Sequence, residues 1–299
     1  MDRTARGQEI YIESMEKSAM DKLRIFSFIK EGVIVDMGAG AGAISALLLR
    51  HFPESKTVSV DNSPDMIRRL KKRFDNNSQV EIIKDGVASF RYKSKVDTIL
   101  FISVLHELFS FNNYSHKLVI DTLRNTFNLL NKGGRLIIRD GVQPEQTTLY
   151  LKPLHKDSYN RFHEFIRSFK VRPLVFSQGI FSQDSFIQQT PNNYEEFKKD
   201  NYLIEMQAQD VSELLSKYFY SEENWKIELS EQFGIWTLRE YIHILTEIGY
   251  YIKYSETYIL EYLLKNKYSK DFEVYKLENG FITKTQYPPS TMILVAEKP

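Results

Sequence analysis

Cysteine is absent from the 299 residues, which removes disulfides, thiolate metal sites and a cysteine nucleophile together and makes a reducing compartment the natural setting. Net charge is nearly absent as well. Forty basic side chains stand against 39 acidic ones, a formal +1, so no global field draws the chain to nucleic acid or to an anionic membrane. No apolar run approaches the ~20 residues of a membrane span, and the start MDRTARGQEIY lacks the apolar core of a secretion signal. A soluble, cytoplasmic protein is expected. Internal repeats and sharp linkers are missing too, so the composition alone draws no domain boundary. Apolar side chains are not scarce: 42% hydrophobic and 13% aromatic residues are ample for a packed core of one large or two modest domains.

The most informative stretch is Val33 to Ala43, VIVDMGAGAGA. An apolar run ends in Asp36 and passes into Gly38, Gly40 and Gly42, with a helix-favouring segment from Ala43 to His51 behind it: strand, tight turn, helix. Glycines suit such a turn because a Cβ forbids some of its backbone conformations and because a ligand must lie against the main chain. Before it, apolar residues from Gln8 to Lys30 recur at helical spacing, with Tyr11, Ser14 and Met15 on a segment able to fold over the mouth of the turn. After it, Thr57 to Val60 reads as a second strand closed by Asp61, about twenty residues beyond the glycines, where a carboxylate accepts from ribose hydroxyls. Ser63 then caps a helix with Pro64 at its first position, running to about Phe74. Val80 to Ile83, Val96 to Val104 and Arg135 to Arg139 supply three more strands, ending in Asp85-Gly86, His106-Glu107 and Asp140-Gly141. Lys117 to Leu130 is an amphipathic helix, and Lys132-Gly133-Gly134 is expected to turn the chain. Five strands with helices between them make a doubly wound α/β sheet, and its ligands belong at the strands' C-terminal ends.

The pattern changes at Val142. Residues 151–176 are rich in Lys, Arg, His and aromatics, 177–201 are Gln/Asn-rich and 202–241 look helical. An inserted, largely helical cap over 142–241 on the substrate side is the simplest expectation. It is preceded by an N-terminal helical lid (1–30) and a core (31–141), and followed by a closing segment (242–299). Within that last part, Thr237 to Gly249 reads as a capped helix, Tyr250 to Tyr258 and Thr291 to Ala296 as strands, and 259–290 as a Tyr-rich excursion with a turn at Glu278-Asn279-Gly280.

The order D-M-G-A-G-A-G, an acidic residue closing strand two, Asp-Gly after strand three, L-H-E after strand four and K-G-G-R-L into strand five resembles the class I S-adenosylmethionine-dependent methyltransferases. The closest likeness is to bacterial members of unassigned substrate with an H-E pair, an R-D-G and an E-Q-F-G, here Glu231 to Gly234. The resemblance covers 31–141 well and the closing helix and strands more loosely. It implies a mostly parallel seven-stranded sheet with an antiparallel C-terminal strand and S-adenosyl-L-methionine as cofactor. Gly38, Gly40 and Gly42 would bed the methionine part, Asp36 would hold its amino group, Asp61 the ribose and Asp85 the adenine amino group. Tyr11, Ala39, Asn62, Met66, Gly86 and Ser103 would complete the contacts. A dinucleotide site is the rival for the turn, since Gly38-x-Gly40-x-x-Ala43 fits that fingerprint too. Against it, Asp36 would repel a pyrophosphate and suit an ammonium.

Methyl transfer from a sulfonium asks the protein to align donor and acceptor and exclude water, and needs no metal or covalent residue. His106 is the first candidate for a base. Glu107 would orient it or hold an acceptor amine, and Asp140 is a further catalytic candidate. The acceptor is expected to be an O, N or C atom of a small metabolite or modified peptide. RNA is the alternative: Lys152 to Arg172 holds six basic residues (Lys152, Lys156, Arg161, Arg167, Lys170, Arg172) against Asp157 and Glu164, with His155 and His163 alongside. No Asn-Pro-Pro-Tyr motif follows strand four, which counts against base amino groups. A non-catalytic cofactor-binding regulator is the third reading.

Overall fold

The computed structural model describes residues 19–182 and 185–299. Tyr11, Ser14 and Met15, and most of the expected first helix, lie outside them. The described part of that segment is a short helix, Ala19–Lys22, followed by a 3-10 turn, Leu23–Phe28. The core then runs β1 (Val33–Met37), α1 (Ala43–His51), β2 (Lys56–Asp61), α2 (Pro64–Arg73), β3 (Val80–Lys84), β4 (Val96–Ile102), α3 (Leu105–Ser110), α4 (His116–Leu129) and β5 (Leu130–Gly141). Local chemistry sets these limits. Ser63 accepts from the Met66 N–H, Pro64 opens α2, Asp65 sits in its first turn and Lys71, Lys72 and Arg73 in its last, so cap, ring and charges all favour a helix over that span. Gly133, at φ +71°, stays within β5. The expected Lys132-Gly133-Gly134 turn is an irregularity in the strand, with Leu130 already paired to Val96.

The inserted stretch contributes β6 (Thr148–Pro153), α5 (Lys156–Ser168), β7 (Phe176–Ser182), β8 (Ser185–Gln188), α6 (Tyr194–Lys199), β9 (Leu203–Gln207), α7 (Ala208–Lys217) and α8 (Glu222–Glu228). The chain then returns through α9 (Leu238–Ile248) and β10 (Tyr251–Tyr258), departs again for β11 (Phe272–Glu278) and β12 (Phe281–Lys284), and ends in β13 (Thr291–Glu297). A capping box, Thr237 with Glu240, begins α9, and Gly249 at φ +111° ends it.

Two compact units result. One comprises 142–234 with 258–290, and the other comprises the rest of the described chain. The second unit holds a seven-stranded sheet in the order β10-β13-β5-β4-β1-β2-β3. β1 to β5 pair in parallel, and β13 lies antiparallel to β5. Its central strands are apolar on both faces, as a sheet covered by helices on each side requires: Ile34, Val35, Ile99, Leu100, Ile137 and Ile138 are all fully buried.

The inserted unit is not built of helices alone. It carries a six-stranded sheet, β12-β11-β6-β9-β7-β8, whose neighbours all pair antiparallel. Leu149 and Leu151 on β6, Ile204 and Met206 on β9 and Val274 on β11 alternate onto one face. They pack there with Phe162 and Phe165 of α5 and Val211 and Leu214 of α7. The excursion at 259–290 belongs to this unit because β11 pairs with β6, more than a hundred residues earlier. No described helix is long and apolar enough to cross a membrane.

Candidate active site

The turn after β1 is tied to β2 at several points. Gly38 and Ala39 N–H groups both donate to the Val60 carbonyl at 2.9 Å, and the Gly42 N–H donates to Ala39 at 2.9 Å. Asp61 clasps it from the side: one carboxylate oxygen accepts from the Gly40 N–H at 2.9 Å, the other from the Ser63 N–H at 2.8 Å. Burial raises the pKa of Asp61, and the Ser63 and Gly40 N–H groups oppose that rise. The Asn62 N–H also lowers it, and the three donors leave part of the carboxylate's capacity of about four lone-pair sites unused.

The three glycines differ in what surrounds them. A Cβ on Gly38 would lie 2.4 Å from Val104, and one on Gly42 would lie 2.7–2.8 Å from Phe74 and Leu70, whereas one on Gly40 would meet nothing within 4 Å. Gly38 and Gly42 therefore serve close packing. Gly40, at φ +55°, is where the turn presents bare backbone to open space. Ala39 packs with Ile67, Leu70 and Phe74, Met66 is buried on α2 and Asn62 is exposed. Half-buried Asp85 holds its own loop, accepting from the Gly86 N–H and the Ser89 hydroxyl at 2.7 Å each, and its N–H bonds the Asp61 carbonyl at 3.1 Å.

Behind the turn lies a set of buried charges. Asp36 is 2% exposed and accepts from the Ser45 hydroxyl at 2.7 Å, which in turn meets Ser59 at 2.8 Å. Burial pushes its carboxyl up to about 6; Ser45 and the Lys22 charge pull it down, and Asp61 adds to the rise. Lys22 is 1% exposed. Burial and then Arg139 hold its ammonium down at about 8, against Asp36, Asp21 and Asp140. Arg139 donates to the Ser103 hydroxyl at 3.0 Å and to Asp21 at 2.9 Å. Ser103, at φ +57°, returns its N–H to the Arg139 carbonyl at 2.8 Å.

At the end of β5, Asp140 reaches across to the start of α3. One oxygen accepts from the Leu105 and Val104 N–H groups at 2.7 and 3.1 Å, and the other meets His106 Nδ1 at 2.5 Å and the Gly141 N–H at 2.8 Å. Burial alone would raise this carboxyl. The His106 charge and hydrogen bond, with the Gly141 and Leu105 N–H groups, outweigh it and hold the pKa below the ordinary value. Asp140 thus fixes the imidazole's Nδ1, so the orienting role expected of Glu107 is available from Asp140. Glu107 follows half-buried in the first turn of α3. Tyr241 on α9 is fully buried, its hydroxyl has no hydrogen-bond partner among the described residues, and burial, then the Asp140 charge, raises its pKa well above the ordinary value. Its ring lies edge-on to Trp236 at 5.1 Å, and Trp236 in turn lies 5.3 Å from His116. Lys22 and Tyr241 carry no local motif that marks them, and only the fold brings them beside Asp36 and Asp140; Arg139 stands in the R-D-G motif next to Asp140, but its role beside Lys22 is not marked there.

A methyltransferase-domain profile matches residues 35–136, about a third of the chain and the part that holds the turn, Asp61, Asp85 and His106. That stretch is a methyltransferase domain. Its relatives include malonyl-[acyl-carrier protein] O-methyltransferase 1 of Ilyobacter polytropus, 27% identical over 139 residues that make up 44% of this chain and 48% of that protein. Another is bacteriochlorophyllide d C-20 methyltransferase of Chlorobaculum tepidum, 27% identical over 46% of this chain and 40% of the other. The chain thus spans about half the length of these relatives. A crystal structure of an S-adenosylmethionine-dependent methyltransferase from Clostridium acetobutylicum is similar at a TM-score of 0.44 and 10% identity, over 95% of this chain and 90% of that one.

The cofactor of such a domain is S-adenosylmethionine, and the donor set of the methyltransferase domain fits its groups. A buried carboxylate at Asp36 complements an ammonium, buried cations at Lys22 and Arg139 complement a carboxylate, and Asp61 keeps part of its accepting capacity for a ribose diol. The open space before Gly40 admits a ligand against the backbone.

Proposed function

We propose that the chain transfers a methyl group from S-adenosylmethionine to an O–H or N–H acceptor on a small metabolite or modified peptide. Asp61 carries this reading. It is a largely buried carboxylate that holds the turn with one oxygen and the next helix with the other, and its remaining accepting capacity lies where the fold's crevice rule puts a ribose. Asp36 would bind the ammonium, Lys22 and Arg139 the carboxylate, Gly40 the methionine backbone and Asp85 the adenine amino group. When bound, the cofactor supplies an electrophilic methyl. His106, with Nδ1 committed to Asp140, would take the acceptor's proton at Nε2, and Asp140 would stabilise the imidazolium that forms.

The relatives' named reactions include both oxygen and carbon acceptors, so the acceptor atom is not carried over from them. The His106–Asp140 pair favours an acceptor that loses a proton. RNA is the weaker reading because two members of the basic segment are committed internally: Arg161 pairs with Glu164 and Glu222 and stacks on Trp225, and Arg172 pairs with buried Asp210.

The test combines calorimetry with label transfer. Asp61→Ala should weaken S-adenosylmethionine binding by roughly 10- to 100-fold, the range for lost charge-assisted hydrogen bonds. His106→Gln should keep that affinity and lose transfer of labelled methyl to the fraction of a cell extract that the wild type labels. Unchanged cofactor binding in Asp61→Ala would sink the proposal. Binding without label uptake in any fraction would favour a regulator.

A further inference from the structure

The inserted unit holds a cleft that methyl transfer does not use. It runs along one flank of α5, where Tyr159, Asn160, His163 and Arg167 face residues 191–193, and has a volume of about 340 Å³. Tyr159, His163 and Arg167 recur every fourth residue, so a helix of about 3.6 residues per turn sets them in a row. The Tyr159 and His163 rings meet edge to face at 4.3 Å. Each side chain ends in a hydrogen-bonding group. The Nε2 atom of His163 is buried without a partner, and the Tyr159 hydroxyl, Asn160 amide and Arg167 guanidinium make no hydrogen bond or ion pair among the described residues. Leaving a buried polar group unsatisfied costs about 1–3 kcal/mol, so the wall of the cleft carries an unmet polar atom at His163.

The surroundings narrow the chemistry. Two other polar side chains at α5 are committed: His155 caps the helix and meets Asp271 at 2.7 Å, and Arg161 holds Glu164 and Glu222. No Asp or Glu lines the cleft. Glu196, whose charge reaches Tyr159, is held by the Asn192 backbone N–H and side-chain amide at 2.9 and 2.7 Å. Burial, and then the Arg167 charge, keeps His163 below its ordinary pKa, which leaves the exposed Arg167 as the cation among the lining residues.

We propose that this cleft is a second small-molecule site that takes an organic oxyanion, a phosphate ester or a carboxylate. Arg167 grips the charged group, Tyr159 and Asn160 hydrogen-bond to it and to hydroxyls beside it, and His163 forms part of the wall. A planar guanidinium matches two oxygens of either group. The volume falls within the roughly 300–1,000 Å³ of small-molecule pockets, so the anion has room to carry an organic body. This site stands whether or not methyl transfer does, because none of its residues belongs to the methyltransferase domain.

His163 itself reports occupancy, since an anion arriving beside the ring favours its protonated form and moves its NMR signals. The chain has six histidines, and His163→Asn identifies the signal by its loss. The full chain would be titrated at constant ionic strength and pH with glycerol 3-phosphate, succinate and, as a neutral control, glycerol. The expected result is a saturable His163 shift with at least one of the two anions and none with glycerol. Arg167→Gln, at an exposed position that should leave folding intact, should weaken that binding roughly 10- to 100-fold. Tighter binding of the ester assigns phosphate, and tighter binding of succinate assigns carboxylate. No saturable shift with either anion, an equal shift with glycerol, or unchanged affinity in Arg167→Gln would overturn the proposal.

Discussion

Each unit buries a carboxylate beside a lysine, and the two are treated in opposite ways. In the inserted unit, Glu213 receives the fully buried Lys217 ammonium and the Phe233 and Gly234 N–H groups at 3.2 and 2.9 Å, while Lys217 also lies 3.5 Å over the Phe233 ring. Its oxygens are well satisfied. In the methyltransferase domain, Asp36 takes its hydrogen bonds from the hydroxyl and backbone N–H of the single residue Ser45, and burial moves it and Lys22 toward their neutral forms. A saturated buried charge holds a fold together, whereas an under-satisfied one is a fold's concession to a ligand.

The largest effect should come from breaking the saturated pair. Lys217→Met leaves Glu213 buried without a counter-charge, a loss of about 3–5 kcal/mol. Urea unfolding should show that loss, while S-adenosylmethionine affinity under native conditions changes little. Adding Glu213→Gln should recover part of the stability, since it removes the stranded charge. A loss below about 1 kcal/mol, the scale of an exposed pair, would erase the contrast between the units.

The same contrast decided what could be read in the sequence. Strand, acidic residue, glycine turn and capped helix are consecutive, so Asp36, Gly40, Asp61 and Ser63 announce the methyltransferase domain locally. The inserted sheet has no such signal. β6 finds β11 across more than a hundred residues, and β9 sits between β6 and β7, so its strands looked like polar loop or helix to a local reading. Within the site, the expected residues cluster at the strand ends, but Lys22 and Tyr241 come from helices whose periodicity marks only a buried face. Asp140 was legible as a position, yet its hold on His106 depends on β5 lying beside β4, which no local pattern encodes.

A middle-sized effect separates packing from binding within the turn. Gly42→Ala forces a Cβ to within 2.7–2.8 Å of Phe74 and Leu70 at φ +83°. Left-handed backbone costs about 1–2 kcal/mol and overpacking about 1–3 kcal/mol, so a total stability loss of about 2–5 kcal/mol is expected. Gly40→Ala meets no atom within 4 Å and should cost only the backbone part, about 1–2 kcal/mol. Its methyl enters the space before the turn, so cofactor affinity should drop at least tenfold while most of the fold's stability remains. Equal stability losses in the two variants would show that Gly40 serves packing as well.

The smallest effect is the most diagnostic, because it titrates the two buried charges Asp36 and Lys22 directly. Asp36 moves from 3.8 to about 6 on folding, so between those values the folded chain holds a proton that the unfolded chain has lost, and stability falls as pH rises through that window. Lys22 moves from 10.5 to about 8, so between those values the folded chain has lost a proton that the unfolded chain keeps, and stability rises with pH there. Both groups carry their charges between about 6 and 8, where they favour the ligand-free fold least and a zwitterionic ligand most. Affinity for S-adenosylmethionine should therefore weaken below about pH 6, by up to tenfold per pH unit, as Asp36 takes up its proton. The ligand's own ammonium stays charged across that range, so this acid limb belongs to the protein. Its alkaline counterpart is better read on the ligand-free chain, because a free α-amino group titrates near 8: Lys22→Met should flatten the rise in stability above pH 8. Calorimetry from pH 5 to 7 on wild type and Asp36→Asn isolates the acid limb. The variant should bind more weakly at pH 7 and lose the wild type's steepening below 6. An identical pH profile in the two proteins would mean that Asp36 is buried for the fold, as Glu213 is, and not for a ligand.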